Sequence, residues 1–164
     1  MKIGVLSDTH IGGGSKIELP QKMMDDFKYA DMIIHAGDMV DLGVFKKLST
    51  LCKDVRAVKG NMDAANSANN FPQKEIIKVG KFTIGVMHGY GAPANLIDLL
   101  KESFKNDFCD IIIFGHSHIP FNEKIDNVLY FNPGSPTDKN FSPYNSYGMI
   151  ELNGGINAEI MRLD

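Results

Sequence analysis

A chain of 164 residues suits one hydrophobic core, and 43% hydrophobic against 23% charged residues is ordinary globular composition, which excludes a disordered or fibrous protein. The formal net charge of −3, from 17 Lys and Arg against 20 Asp and Glu, argues against nucleic acid as a partner, because phosphate neutralisation needs clustered basic side chains. No apolar run approaches the roughly 20 residues that cross a bilayer, and the opening MKIGVLSDTH is apolar for too few residues to be a signal peptide. The expectation is a single domain over residues 1–164, cytoplasmic and without membrane contact. Cys52 and Cys109 sit beside apolar residues with no CxxC spacing, and read as small buried hydrophobes.

In chain order, Ile3 to Leu6 is a short apolar run stopped by Ser7-Asp8, which predicts a buried strand. Glycines 12, 13 and 14 predict a loop. Leu19, Met23, Phe27 and Ala30 recur at helical spacing, with Pro20 tolerated in the first turn. Met32 to His35 is a second apolar run ending at Gly37-Asp38, and Leu42, Phe45, Leu48 and Cys52 mark a second helix. Val55 to Val58 predicts a third strand ending at Gly60-Asn61. This β-α-β-α-β order implies parallel pairing with right-handed crossovers. In open α/β sheets the ligand crevice lies outside the carboxyl ends of the strands, where these polar residues are expected to converge.

Residues 62–72 form an asparagine-rich polar loop. Lys74 to Val79 and Phe82 to Met87 flank Gly80-Lys81 and predict a hairpin whose second arm ends at His88-Gly89. Leu96, Leu99, Leu100 and Phe104 give a third helix, and Ile111 to Phe114 a strand ending at Gly115-His116. Val128 to Phe131 is a further strand, closed by Asn132-Pro133-Gly134-Ser135. Tyr147 to Leu152 and Ile156 to Met161 flank Asn153-Gly154-Gly155 as a second hairpin.

The strand ends together carry Asp8-x-His10, Gly37-Asp38, Gly60-Asn61, His88-Gly89 and Gly115-His116-Ser117-His118, which include four of the five histidines. In extended backbone, residues i and i+2 point the same way, so Asp8 with His10 and His116 with His118 could each aim two ligands at one point. A mixture of carboxylate, imidazole and amide oxygen suits transition metals. Seven such groups exceed what one ion needs; an aspartate shared by two ions would account for them, as in sites that clamp both oxygens of an in-line displacement. Two divalent ions, two aspartates and a hydroxide leave the cluster with about one positive charge, attractive to a phosphodiester anion. Taken singly, each of these residues is more often a turn, cap or core group. His35, inside the second strand rather than at its end, is read as structural or supporting.

The ordered set D-x-H, G-D, G-N, H-G and G-H-x-H resembles the calcineurin-like metallophosphoesterases, and the short chain with its NPGS segment is similar to their small bacterial and archaeal phosphodiesterases. The resemblance runs from Asp8 to Ser135. It implies an α/β metallophosphoesterase fold of two packed β-sheets flanked by helices. It implies one metal held by Asp8, His10, Asp38 and His118, and another by Asp38, Asn61, His88 and His116. Asp38 would bridge and a bridging hydroxide would attack, with Asp38, Asn61 and His10 closest to the reacting phosphate. The metals implied are two divalent ions, manganese first, with nickel, iron or zinc as alternatives. The substrate implied is a small phosphodiester, and the assembly a homodimer or homotetramer.

One departure stands out. Many relatives have a histidine after Gly-Asn, where this chain has Met62-Asp63. Methionine cannot donate a proton to a leaving group, so activity on alkyl phosphomonoesters is expected to be weak. Residues 11–16 and 62–72 are expected to face the substrate, and Gly89, Asn132 and Ser135 to line the mouth. Two other readings compete: a protein-interaction scaffold on the same fold, which needs no complete ligand set, and a nuclease of the same superfamily, which the acidic balance and Met62 weaken.

Overall fold

The computed structural model describes residues 1–12, 14, 16–63, 70–138 and 140–163. Part of the glycine loop, at 13 and 15, and the centre of the asparagine-rich loop, at 64–69, lie outside the described residues, and with them part of the expected substrate-facing edge.

The first sheet contains β1 (Lys2–Leu6), β2 (Met32–His35), β3 (Val55–Ala57), β9 (Ser146–Leu152) and β10 (Ile156–Arg162), in the order β10-β9-β1-β2-β3. The β1–β2 and β2–β3 pairs are parallel, as the β-α-β-α-β order requires, while β9 returns antiparallel against β1. The second sheet contains β4 (Lys74–Val79), β5 (Phe82–Met87), β6 (Ile111–Ile113), β7 (Phe121–Ile125) and β8 (Val128–Asn132), in the order β4-β5-β6-β8-β7. Alternation along the strands builds three apolar layers. Ile3, Val5, Ile34 and Ile150 of the first sheet meet Ile84, Ile111, Ile113 and Phe131 of the second. The outer face of the first sheet, at Leu6 and Ile33, packs on α1 (Gln21–Phe27) and α2 (Leu42–Ser49) through Met23, Phe27 and Leu48. The outer face of the second, at Ile112 and Tyr130, packs on α3 (Leu96–Phe104) through Leu100 and Phe104. The architecture is helix, sheet, sheet, helix, the fold expected above.

Three local details differ from the sequence reading. Helix α1 begins only after Pro20, which serves as its N-cap, so Leu19 packs from the preceding loop. Strand β7 went unpredicted because Phe121–Ile125 has a polar middle and a half-exposed face; the Asp126-Asn127 turn joining it to β8 has both residues at positive φ, 49° and 68°, as two-residue hairpins favour. The third difference concerns the ligand loops. Asp8, His10, Asp38, His116 and His118, five of the seven expected ligands, have φ between 47° and 71°. They are left-handed rather than extended, so convergence comes from sharp turns just past the strand ends and not from strand alternation. Such residues are sparsely populated and cost on the order of 1–3 kcal/mol each, held by the surrounding packing.

Candidate metal centre

Five loops meet at the carboxyl ends of β1, β2, β3, β5 and β6, and two of their glycines make the approach possible. A Cβ on Gly60 would lie 2.1 Å from Asp38 Oδ1, and one on Gly37 (φ 94°) would lie 2.6 Å from the His88 ring. Only bare backbone lets the Asp38, Asn61 and His88 loops come this close.

All seven expected residues face one region. Asp38 Oδ2 lies 3.5 Å from His10 Nε2 and 3.3 Å from His88 Nε2. Asp8 Oδ1 lies 3.4 Å from His118 Nε2, 3.8 Å from His88 Nε2 and 3.9 Å from His10 Nε2. His10 Nε2 and His118 Nε2 are 3.1 Å apart. Asn61 Oδ1 stands 3.1 Å from His88 Nε2 and 2.9 Å from His116 Nδ1. Ligand atoms of Asp8, His10 and His118 cluster in one group, and those of Asp8, Asp38 and His88 in an adjoining one. Asp8 thus belongs to both groups, and Asp38, in the second, also lies 3.5 Å from His10 of the first. Their second oxygens are committed elsewhere: Asp38 Oδ1 accepts from the Met62 N–H at 2.7 Å, and Asp8 Oδ2 accepts from the Ser7 hydroxyl at 2.7 Å.

The back of each ring explains why the front fits a cation. His88 Nδ1 contacts the Ala36 carbonyl at 2.7 Å, and His116 Nε2 contacts the Gly91 carbonyl at 2.8 Å. His118 Nδ1 is bonded to the Asp138 carboxylate. A carbonyl or carboxylate can only accept, so each of these nitrogens carries the proton. His88 Nε2, His116 Nδ1 and His118 Nε2 are then bare lone pairs, facing the oxygens of Asp8, Asp38 and Asn61. With the rings neutral, acceptors facing acceptors at 3 to 4 Å repel one another, so the arrangement favours a proton or a metal cation between them. Fixing the distal N–H in this way is also how metal-ligating histidines are oriented. His10, half at the surface, has no such backing among the described residues.

Protonation of the isolated protein reflects the same crowding. Burial pushes the Asp8 carboxyl up, against the opposing pull of His88, Ser7 and His118. Burial also acts on Asp38, but His88, the Met62 N–H and His10 outweigh it and leave that carboxyl below its ordinary value. For His88, burial lowers the pKa and the bond with Asp38 and the charge of Asp8 more than restore it, so it lies above the ordinary value.

Several supporting residues were not expected from sequence. Asp63 is buried and accepts three backbone N–H bonds, from Asp38 (3.1 Å), Val40 (2.7 Å) and Gly60 (2.7 Å), lacing the β2 and β3 loops together. Its carboxylate is therefore fully engaged with the backbone. Asp138 gave no sequence signal beyond that of a turn residue; it reaches His118 only because the loop after β8 folds back. Asn132 and Ser135 do not line the mouth. Both are fully buried, Asn132 donating to the Gly115 carbonyl at 2.9 Å and Ser135 to the Asp8 carbonyl at 2.7 Å, so they brace two ligand loops from behind. Gly89 does border a cavity, of about 380 Å³, with Lys59, Gln73 and Tyr90. His35 is structural: its Nε2 lies 3.1 Å from the Thr9 hydroxyl and its Nδ1 accepts from the Gly37 N–H at 3.2 Å. Both cysteines are free and buried. Among the described residues, no helix is long and apolar enough to cross a membrane.

A family model described as the calcineurin-like phosphoesterase superfamily domain matches residues 1–155. A probable metallophosphoesterase of Methanocaldococcus jannaschii is 42% identical over 140 residues, covering 84% of this chain and 69% of the relative. A phosphodiesterase of the same organism is 28% identical over 147 residues, covering 82% of this chain and 83% of the relative. Among solved structures, Vps29 of Chaetomium thermophilum superposes with a TM-score of 0.80 at 17% identity, over 98% of this chain and 96% of that one, a likeness of fold alone. With the family model spanning nearly the whole chain and the ligand loops in place, the chain belongs to the calcineurin-like phosphoesterase superfamily.

Proposed function

We propose that the chain is a metal-dependent phosphodiesterase with a binuclear centre, manganese being the first candidate. One observation carries the reading: ligand atoms of Asp8, His10 and His118 and of Asp8, Asp38 and His88 form two adjoining groups, Asn61 Oδ1 faces both His88 and His116, and three of the four histidines have their other nitrogen tied back. Asp8, His10, Asp38 and His118 would hold one ion and Asp38, Asn61, His88 and His116 the other. Asp38 is assigned the bridge by the family resemblance, and its Oδ2 is the carboxylate oxygen nearer His10 and His88, at 3.5 and 3.3 Å, while Asp8 is the aspartate common to both groups. Two such ions supply a Lewis-acid field that acidifies water and neutralises phosphoryl oxygens. The protein's own residues do the rest. Asn61 and His116 fix one side of the phosphate position. His10, at the exposed rim, would stand beside the departing oxygen while its Nε2 serves the ion. One ester P–O bond breaks, water supplies the new P–O bond, and a monoester and an alcohol leave.

A diester is favoured over a monoester on two grounds. Cavities of about 700 and 380 Å³ flank the ligand cluster and share Asn61 in their walls, giving each ester substituent its own space. Met62, at the larger cavity, cannot protonate a poor leaving group. The test is to strip the metal, then follow hydrolysis of bis-p-nitrophenyl phosphate and p-nitrophenyl phosphate during Mn²⁺ readdition. Metal-dependent cleavage favouring the diester, and abolished in Asp38→Ala, is the expected result. Absence of turnover with Mn²⁺, Ni²⁺, Fe²⁺ and Zn²⁺ in a folded protein would overturn it.

A further inference from the structure

The larger cavity beside the ligand cluster, about 700 Å³, falls in the range of about 300–1,000 Å³ that encloses a drug-sized ligand, far more than a phosphoryl group fills. Two large apolar side chains stand exposed in its wall, Met62 at 57% and Phe141 at 76%. Neither is a random surface residue, because each is bonded through its backbone to a carboxylate of the site. The Met62 N–H donates to Asp38 Oδ1 at 2.7 Å. The Phe141 N–H donates to Asp138 Oδ2 at 3.1 Å, with the Asn140 and Ser142 N–H groups on the same carboxylate at 2.8 and 3.0 Å. That carboxylate also holds His118 Nδ1. The Phe141 and His118 rings stand perpendicular, centroids 6.0 Å apart at 88°, and the Phe141 side chain is largely exposed.

The geometry points to an apolar clamp: Phe141 and Met62 take a flat aromatic substituent, aryl or nucleobase, of the phosphodiester held at the metal centre. This rests on the phosphodiesterase reading and adds the substrate class to it. A residue whose backbone is already held by its turn has only side-chain freedom left to lose on stacking, so more of the contact is retained as affinity. A thioether across the same cavity adapts to rings of different size and favours the aromatic edge. The clamp requires a π face, and both an aryl ester and a nucleoside ester present one.

The test is a binding measurement on the Zn²⁺-loaded protein by titration calorimetry, with methyl, cyclohexyl and phenyl phosphate and adenosine 5′-monophosphate as probes. Phenyl phosphate is expected to bind about tenfold more tightly than methyl phosphate, the scale of one aromatic stack. In Phe141→Ala that preference should shrink to about twofold or less, since the stacking partner is gone. Tyr29→Ala, at an exposed aromatic after α1, should keep it. A matching preference for adenosine 5′-monophosphate assigns the clamp to a nucleobase; its absence assigns it to an aryl group adjoining the phosphate. Equal binding of phenyl and methyl phosphate, cyclohexyl matching phenyl, or a preference surviving in Phe141→Ala overturns the clamp. Methyl phosphate binding without aryl preference overturns the clamp alone, whereas no binding of any probe and no diester hydrolysis overturns the phosphodiesterase reading with it.

Discussion

Met62 and Asp63 show how a single position redirects a site. Met62 stands at the cavity with its N–H on Asp38, and Asp63 spends its carboxylate on three backbone donors. Installing an acid at 62 is therefore informative. Met62→His is expected to raise the rate on alkyl phosphomonoesters by about tenfold, short of the about 10²–10⁴ that an oriented general acid supplies, because Asp63 is already engaged. Comparing p-nitrophenyl phosphate, whose leaving group needs no proton, with an alkyl monoester checks this; an unchanged alkyl rate removes Met62 as the cause of weak monoester activity. The convergence of the seven residues expected as ligands was legible at this scale because imidazole, carboxylate and amide each stood next to a strand end or glycine. Asp138 was not, since its partner His118 lies 20 residues away and only the folded-back loop brings them together.

At the scale of elements, the parallel strands were readable from their short apolar runs, while the loops that aim the ligands were not. Extended backbone was the simplest assumption for Asp8-x-His10 and His116-Ser117-His118, yet these ligands are left-handed. Backbone handedness at Asp or His leaves no compositional trace, unlike at glycine. Polar strand β7 was likewise hidden, its middle three residues being exposed. What holds the strained loops is a small set of buried polar braces, so removing one should cost more than its surface suggests. Asp63→Ala orphans three N–H groups, each worth about 1–3 kcal/mol when left unpaired. The metal-free variant is expected to lose at least about 3 kcal/mol, or about 6–12 °C in Tm. Asp41→Ala, which removes the N-cap bond to Gly43 at 2.7 Å on α2, should lose only about 1 kcal/mol. Thermal denaturation of the two variants side by side decides it; equal losses would mean that Asp63 is merely a turn residue.

Across the whole molecule, two sheets share one apolar interior and gather their polar residues at one end, so the site and the fold's stability are linked through buried polar groups. His35 makes this measurable. Burial lowers its pKa from 6.5 to about 3, and its acceptor Nδ1 facing the Gly37 N–H has no room for a proton. The unfolded chain takes that proton first as pH falls, so stability is lost from about pH 6.5 down to about 3, at up to about 1.4 kcal/mol per pH unit. In the metal-free protein, His35→Gln should flatten the acid limb of urea midpoints plotted against pH, while lowering stability at neutral pH. An unaltered acid limb would show that His35 is already accommodated as a cation.

The binuclear centre is the claim on which the rest depends, and counting ions against activity tests it most directly. Metal-free protein would be titrated with Mn²⁺, bound metal measured by equilibrium dialysis, and bis-p-nitrophenyl phosphate hydrolysis followed at each point. Two ions per chain, with activity appearing as the second is bound, is the predicted result. Full activity with one ion bound, or two ions bound without diester cleavage, would contradict it.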